Sequence, residues 1–208
     1  MSQPDSAQAF SSLLKSRRSI RRYGAGPIEA AALDSILEAA TWAPSAHNRQ
    51  PWRFVVLTEA SQREALAIRM GDLLRAARRA DGDDATDVEA DAVRSYNRIA
   101  GAAAAIVAFL TLEDMDTYPD ERRSRAEELM AVQGVAMAVQ NILLAAHTHG
   151  LGACWMCAPL FCQEEVGAAL GVPPHWRAQA LITLGPPASK GKPANRRPFA
   201  DFVFRPQA

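Results

Sequence analysis

The segment from Glu121 to His149 constrains the fold more than any other stretch. Leu129, Val132, Gly134, Val135, Ala136, Val139, Ile142, Leu143 and Ala146 recur at helical spacing but cover more than one face. A helix that is apolar around most of its girth has to be enclosed on several sides. Gly150 is a natural stop for it. The rest of the chain must therefore supply the enclosing layers. Helices are expected over Ser6–Ser16, Glu29–Thr41, Ser61–Ala80, Val88–Ile99 and Gln163–Leu170. Strands are expected over Trp52–Leu57, Ala102–Leu110, Gly152–Ala158 and Ala180–Leu184, and Asp201–Phe204 could pair as a last strand. The strands do not alternate with helices in a regular series, which favours an α+β fold over a doubly wound sheet. The acidic break Asp81–Asp87 is expected to be a mobile loop, and Pro186–Pro198 reads as a basic, proline-rich tail.

The 208 residues show no internal repeat and no linker, so residues 1–208 read as a single domain. No uninterrupted apolar run reaches the roughly 18–20 residues of a membrane span. The N-terminal MSQPDSAQAF carries an acid and no apolar region, unlike a secretory signal. Three cysteines, an odd and low number, suggest reduced thiols and a cytoplasmic location. Lys and Arg total 23, as do Asp and Glu, so the net charge is zero and a general nucleic-acid binder is excluded. The charges are nevertheless segregated. Arginines gather at 17–22 and cations recur at Lys190, Lys192, Arg196 and Arg197, while acids concentrate in 81–91 and 113–128.

Two segments carry the chemistry. Arg17, Arg18, Arg21 and Arg22 flank Ser19, and arginines beside a hydroxyl suit a phosphate. A solvated basic helix end would have the same composition. The loop Pro44–Pro51 holds Ser45, His47, Asn48, Arg49 and Gln50 between two prolines, a rim suited to a planar polar heterocycle or simply a polar turn. Neither a nucleophile elbow nor a glycine-rich phosphate loop nor a metal-ligand spacing occurs. Cys154-x-x-Cys157 lies on an expected strand, where the two thiols diverge. Buried, inert cysteines and no metal site are expected.

The motifs Arg17-Arg18-Ser19-Ile20-Arg21-Arg22-Tyr23, Ala43-Pro44-Ser45-Ala46-His47-Asn48-Arg49-Gln50-Pro51-Trp52 and Gly150-Leu151-Gly152-Ala153-Cys154-Trp155 together resemble the FMN-dependent nitroreductase family. The resemblance runs over nearly the whole chain. It implies an α/β sandwich with a central, mostly antiparallel sheet flanked by helices. It also implies a homodimer with a swapped C-terminal segment and FMN at the subunit interface. Arg17, Arg18, Ser19 and Arg21 would hold the phosphate and ribityl, with Arg196 or Arg197 adding a phosphate contact. Asn48 and Gln50 would sit by the ring, with His47 in the same loop, and Pro44 and Ser45 would come from the other subunit. The strand at Cys154 and Trp155 would approach the ring through its backbone. The implied activity is ping-pong hydride transfer from NADH or NADPH through flavin N5 to a nitroaromatic, quinone or other conjugated acceptor, with no catalytic side chain. Arg49 and Arg53 are candidates for the N1–C2 edge of the flavin.

A narrower resemblance rests on Thr117-Tyr118-Pro119-Asp120-Glu121-Arg122-Arg123, Ala126-Glu127, Val139-Gln140-Asn141 and Leu160-Phe161-Cys162. These are similar to the flavin domain fused to the γ-glutamyl ligase of deazaflavin-cofactor biosynthesis, which implies reduction of a dehydro precursor. A protein of the same fold that only binds flavin, or one that consumes it, would also suit these motifs.

Overall fold

The structure, a computed structural model, describes residues 3–206. Its helices are α1 (Gln3–Ser16), α2 (Ala30–Thr41), α3 (Ala60–Ala80), α4 (Ala85–Ala100), α5 (Glu121–Thr148) and α6 (Gln163–Leu170). Its strands are β1 (Trp52–Leu57), β2 (Ala104–Leu110), β3 (Gly152–Met156) and β4 (Arg177–Gly185). They form one antiparallel sheet in the order β1-β2-β4-β3.

β2 explains the layering. All of its residues are buried, as its uninterrupted apolar sequence requires. Ile106, Ala108 and Leu110 face a core built with α2 and α5, whereas Ala105, Val107 and Phe109 face a core built with α3, α4 and α6. The alternation is the two-residue period of a strand. Each large side chain buried in this way contributes about 1.5–3 kcal/mol. The result is the expected α+β sandwich. By length and composition alone, α5 could cross a membrane, which corrects the expectation that nothing in the chain reaches that length. Here Ala131, Val135, Ala138, Val139, Ile142 and Ala146 are core residues packed beneath the sheet.

Two further expectations are corrected. The acidic segment is a shorter loop than expected: only 81–84 separate α3 from α4, and Asp84 caps α4 by accepting from the amides of Thr86 and Asp87. The acids of this region fasten the two helices together through Arg75–Glu89, Arg78–Asp83 and Arg78–Asp91. Asp201–Phe204 is not a strand. A 3-10 turn over Phe199–Phe202 takes its place, and Phe199, Phe202 and Phe204 are exposed.

Candidate functional site

After α1 the chain runs along the free edge of β3. Ser19 bridges to Ala153, and the Ile20 amide donates to the Ala153 carbonyl at 2.9 Å. Tyr23 bridges to Pro187 at the far end of this segment. Its hydroxyl donates into Ile20 O and Thr183 O and lies 2.7 Å from Thr183 Oγ1. Burial pushes the Tyr23 phenol far above its ordinary range, and its hydrogen bonds make it a fastening between the strip and β4. The basic segment is thus held as a strip beside β3, with the post-β4 chain across it: the Ala188 amide donates to Arg22 O.

The strip alternates. Ser19 and Arg21 open into a cleft of about 1,100 Å³ whose other wall is α4, with Asn97 and Arg98, and whose rim is Ser189, Gly191 and Lys192. Ile20 turns the other way, toward a 520 Å³ pocket with Arg17, Arg18, Leu143 and His147. Burial, then repulsion from Arg196 and Arg18, lowers the pKa of Arg17. Burial raises the Cys154 thiol, against the pull of Arg21, Arg98 and Arg17. Arg21 and Arg98 line the cleft together.

Many of the acids are engaged elsewhere. Asp114 and Asp116 pair with Arg53 and Arg49, Glu128 with Arg177, Glu113 lies 3.1 Å from His175, and Asp83, Glu89 and Asp91 pair with Arg75, Arg78 and Arg94. Among the described residues, none of Arg17, Arg18, Arg21, Arg22, Arg98, Lys190, Lys192 and Arg196 forms an ion pair. A cluster of cations without a carboxylate is a standing site for an anion. Two of the expected ligands are otherwise occupied. Arg18 donates to Lys15 O at 2.6 Å and Arg17 O at 2.9 Å, closing the end of α1. Arg197 pairs with Asp201 at 3.1 Å and lies over the Phe202 ring.

The second motif is a strained turn. His47, Asn48 and Gln50 all have positive φ, at 49°, 54° and 51°. The left-handed region is uncommon for residues with a β-carbon. The Gln50 amide donates to Ser45 Oγ at 3.0 Å and closes the loop. The side chains of His47, Asn48 and Gln50 face outward, and Pro44 is exposed beside them. Arg49 and Arg53 are tied to Asp116 and Asp114 at the base of the loop.

The two motifs lie at opposite edges of the sheet. From Trp52 on β1 to Ser19 beyond β3 is four strand spacings, about 19 Å, and about 20 Å separates their levels along the strands. One chain does not bring them together. Trp155 projects into the core beneath α5, its indole nitrogen buried without a partner, while Cys154 enters the opposite core. Cys154 and Cys162 are buried, but Cys157 is exposed, contrary to the expectation of three buried thiols. Asn97 and Arg98 were not anticipated. On α4 they read as the polar face of an amphipathic helix, and only the packing of that helix beside the strip shows otherwise.

The Nitroreductase family model matches residues 14–186. A Thermus thermophilus protein named NADH dehydrogenase is 31% identical, with 90% of this chain and 91% of that protein aligned. A Rhodospirillum rubrum 5,6-dimethylbenzimidazole synthase is 28% identical over 88% of this chain and 84% of its own length. A crystal structure from Desulfovibrio desulfuricans, described as a nitroreductase in complex with FMN, superposes with a TM-score of 0.73 at 30% identity, covering 95% of this chain and 96% of that one. The edge strip, the strained loop and the sandwich that separates them fall within this shared length, and the chain belongs to the nitroreductase family.

Proposed function

We propose that the chain is an FMN-dependent oxidoreductase, a single FMN-binding domain that works as a homodimer with NADH or NADPH as reductant. The observation that carries this reading is the carboxylate-free cation cluster along β3. A phosphate dianion needs several donors and no competing acid; Ser19 would offer one from the cleft, and Arg17, which lines the pocket on the other side of Ile20, would join it together with Arg196. Arg18 and Arg197 would join only by leaving their present partners. The polar carbonyl edge of the flavin ring would meet Arg21, Asn97 and Arg98, and its face the backbone at Cys154 and Trp155. When bound, FMN supplies hydride transfer at N5, taking reducing equivalents from NAD(P)H and passing them in a ping-pong cycle to a nitroaromatic, quinone or other conjugated acceptor.

The chain's own residues bind and polarise. Fixed cations at Arg21 and Arg98 stabilise negative charge on a carbonyl edge without reorganising. Tyr23 and Thr183 keep the strip in place. No side chain is assigned as a base.

The opposite placement of the two motifs supports the dimer. A second copy would bring its Pro44, Ser45, His47, Asn48 and Gln50 to the strip of the first. The exposed Phe199, Phe202 and Phe204 offer a tail to pack on that partner as a swapped segment. The test is anaerobic reduction of the purified protein with NADH and NADPH, followed by a panel of nitroaromatics and quinones. Bleaching and reoxidation are expected. A synthase-type reaction at the same site is a second reading, favoured by the 28% identity to the R. rubrum protein. Analysis of products from FMN incubated with the reduced protein in air separates the two.

A further inference from the structure

Glu127 is only 3% exposed, yet it forms no ion pair among the described residues. Its Oε1 accepts the backbone amide of Asp116 at 3.2 Å. The carboxylate of that same Asp116 accepts from Arg49 Nη2 at 2.5 Å. Arg49 sits between Asn48 and Gln50, inside the strained turn. The Arg49 Nε is buried without a partner, so Asp116 is the one carboxylate holding this guanidinium among the described residues. Glu127 and Gly134 lie seven residues apart on α5, on one face of the helix. At Gly134 the same loop rests on the helix, where a β-carbon would lie 3.5 Å from Ser45 Cβ and Pro51 Cγ.

A left-handed conformation at three residues with side chains persists only where the surroundings over-determine it. One end of the loop is fixed by Ser45 and by the Thr111 amide, which donates to Pro51 O at 2.9 Å. In the middle, the Asn48 and Arg49 amides close a 3-10 turn on Ser45 O and Ala46 O and Arg53 Nη1 donates to Gln50 O, while Arg49 is the loop side chain that ties this turn to the chain at Asp116. A carboxyl group buried on the core helix is costly unless it is hydrogen-bonded, and the Asp116 amide is the donor it meets. We propose that Glu127 is a positioning residue: through Asp116 and Arg49 it sets the geometry of His47, Asn48 and Gln50, the residues that meet the cofactor of the opposite subunit. The role of the loop rests on the flavin reading above, but the relay itself does not.

The experiment measures amide hydrogen exchange of 47–50 in the flavin-free protein, then FMN affinity. Glu127→Leu removes the acceptor, whereas Glu127→Gln keeps one. Exchange in the loop is expected to rise about tenfold in Glu127→Leu and in Asp116→Asn, the scale of one lost hydrogen bond. Glu127→Gln is expected to match the wild type, and exchange over 135–142 of α5 to stay unchanged in Asp116→Asn. The Glu127→Leu/Asp116→Asn pair is expected to be no worse than the worse single variant, since both cut one relay. Unchanged loop exchange in Asp116→Asn, which lies outside the core helix, overturns the relay, as does full additivity of the pair. FMN affinity is expected to fall in the variants whose loop loosens. A loosened loop with no FMN binding in any protein, wild type included, would leave the relay intact and refute the flavin reading instead.

Discussion

Ile20 occupies the space that a β-carbon on Gly152 would need: the hypothetical atom would stand 2.7 Å from Ile20 Cγ2 and 2.8 Å from its Cβ. Ile20 is β-branched and buried, so it has little room to turn aside. The close approach holds the basic strip against β3. Gly152→Ala should push the strip outward at an overpacking cost of about 1–3 kcal/mol. The expected outcome is a folded protein with a lowered Tm and weakened FMN binding, checked by circular dichroism and flavin titration. An alanine variant with wild-type affinity would show that the contact does not position the site.

Arg17 and Arg197 should differ. Arg17 is partly buried and forms no ion pair among the described residues, while Arg197 is held by Asp201. Loss of one charged hydrogen bond costs about 1.5–3 kcal/mol, roughly 10–100-fold in affinity. Arg17→Ala and Arg196→Ala are expected to weaken FMN by that order, and Arg197→Ala by much less. Isothermal titration over a range of salt checks the ranking, with affinity falling as ionic strength rises.

Arg98 should tune the flavin and not merely hold it. A cation at the ring edge favours the reduced, negatively charged form. Arg98→Gln is expected to lower the reduction potential of bound FMN, measured against a dye in an anaerobic titration. An unchanged potential would remove Arg98 from the ring.

His147 gives a pH signature. Its ring lies 2.8 Å from Ser16 Oγ, and burial, then the neighbouring Arg17 and Arg18, lowers its pKa below the ordinary 6.5. The unfolded chain therefore takes up the proton first as pH falls. The flavin-free protein should lose stability as pH drops through 6.5 toward the lower folded value, and His147→Gln should flatten that slope. A phosphate bound at Arg17 would offset part of the repulsion, so FMN should reduce the slope too. Thermal melts between neutral and mildly acidic pH test both.

The sandwich was readable because its signals are periodic. β2 is a continuous apolar run of strand length and α5 an apolar helix on several faces, and each needs a layer on either side. The acidic segment Asp81–Asp87 misled because its acids read as a solvated break, whereas Asp84 caps α4 and Asp83 pairs with Arg78 at the end of α3. The tail misled because Val203 and Phe204 favour a strand, whereas the chain there makes a 3-10 turn over Phe199–Phe202 and leaves Phe204 exposed. In the site, the arginines were legible as a cluster, but Arg18 turned back to the α1 carbonyls, a choice that geometry alone decides. Asn97 and Arg98 were hidden because helix-face polarity says nothing about what faces it. The left-handed turn at His47, Asn48 and Gln50 was equally hidden, since no glycine marks it.

The most direct test is titration of the flavin-stripped protein with FMN, with molecular mass followed by light scattering. The account predicts saturable binding of one FMN per chain by a protein of twice the chain mass, and loss of that binding in Arg17→Ala. A folded protein that takes up no FMN at any concentration would contradict it.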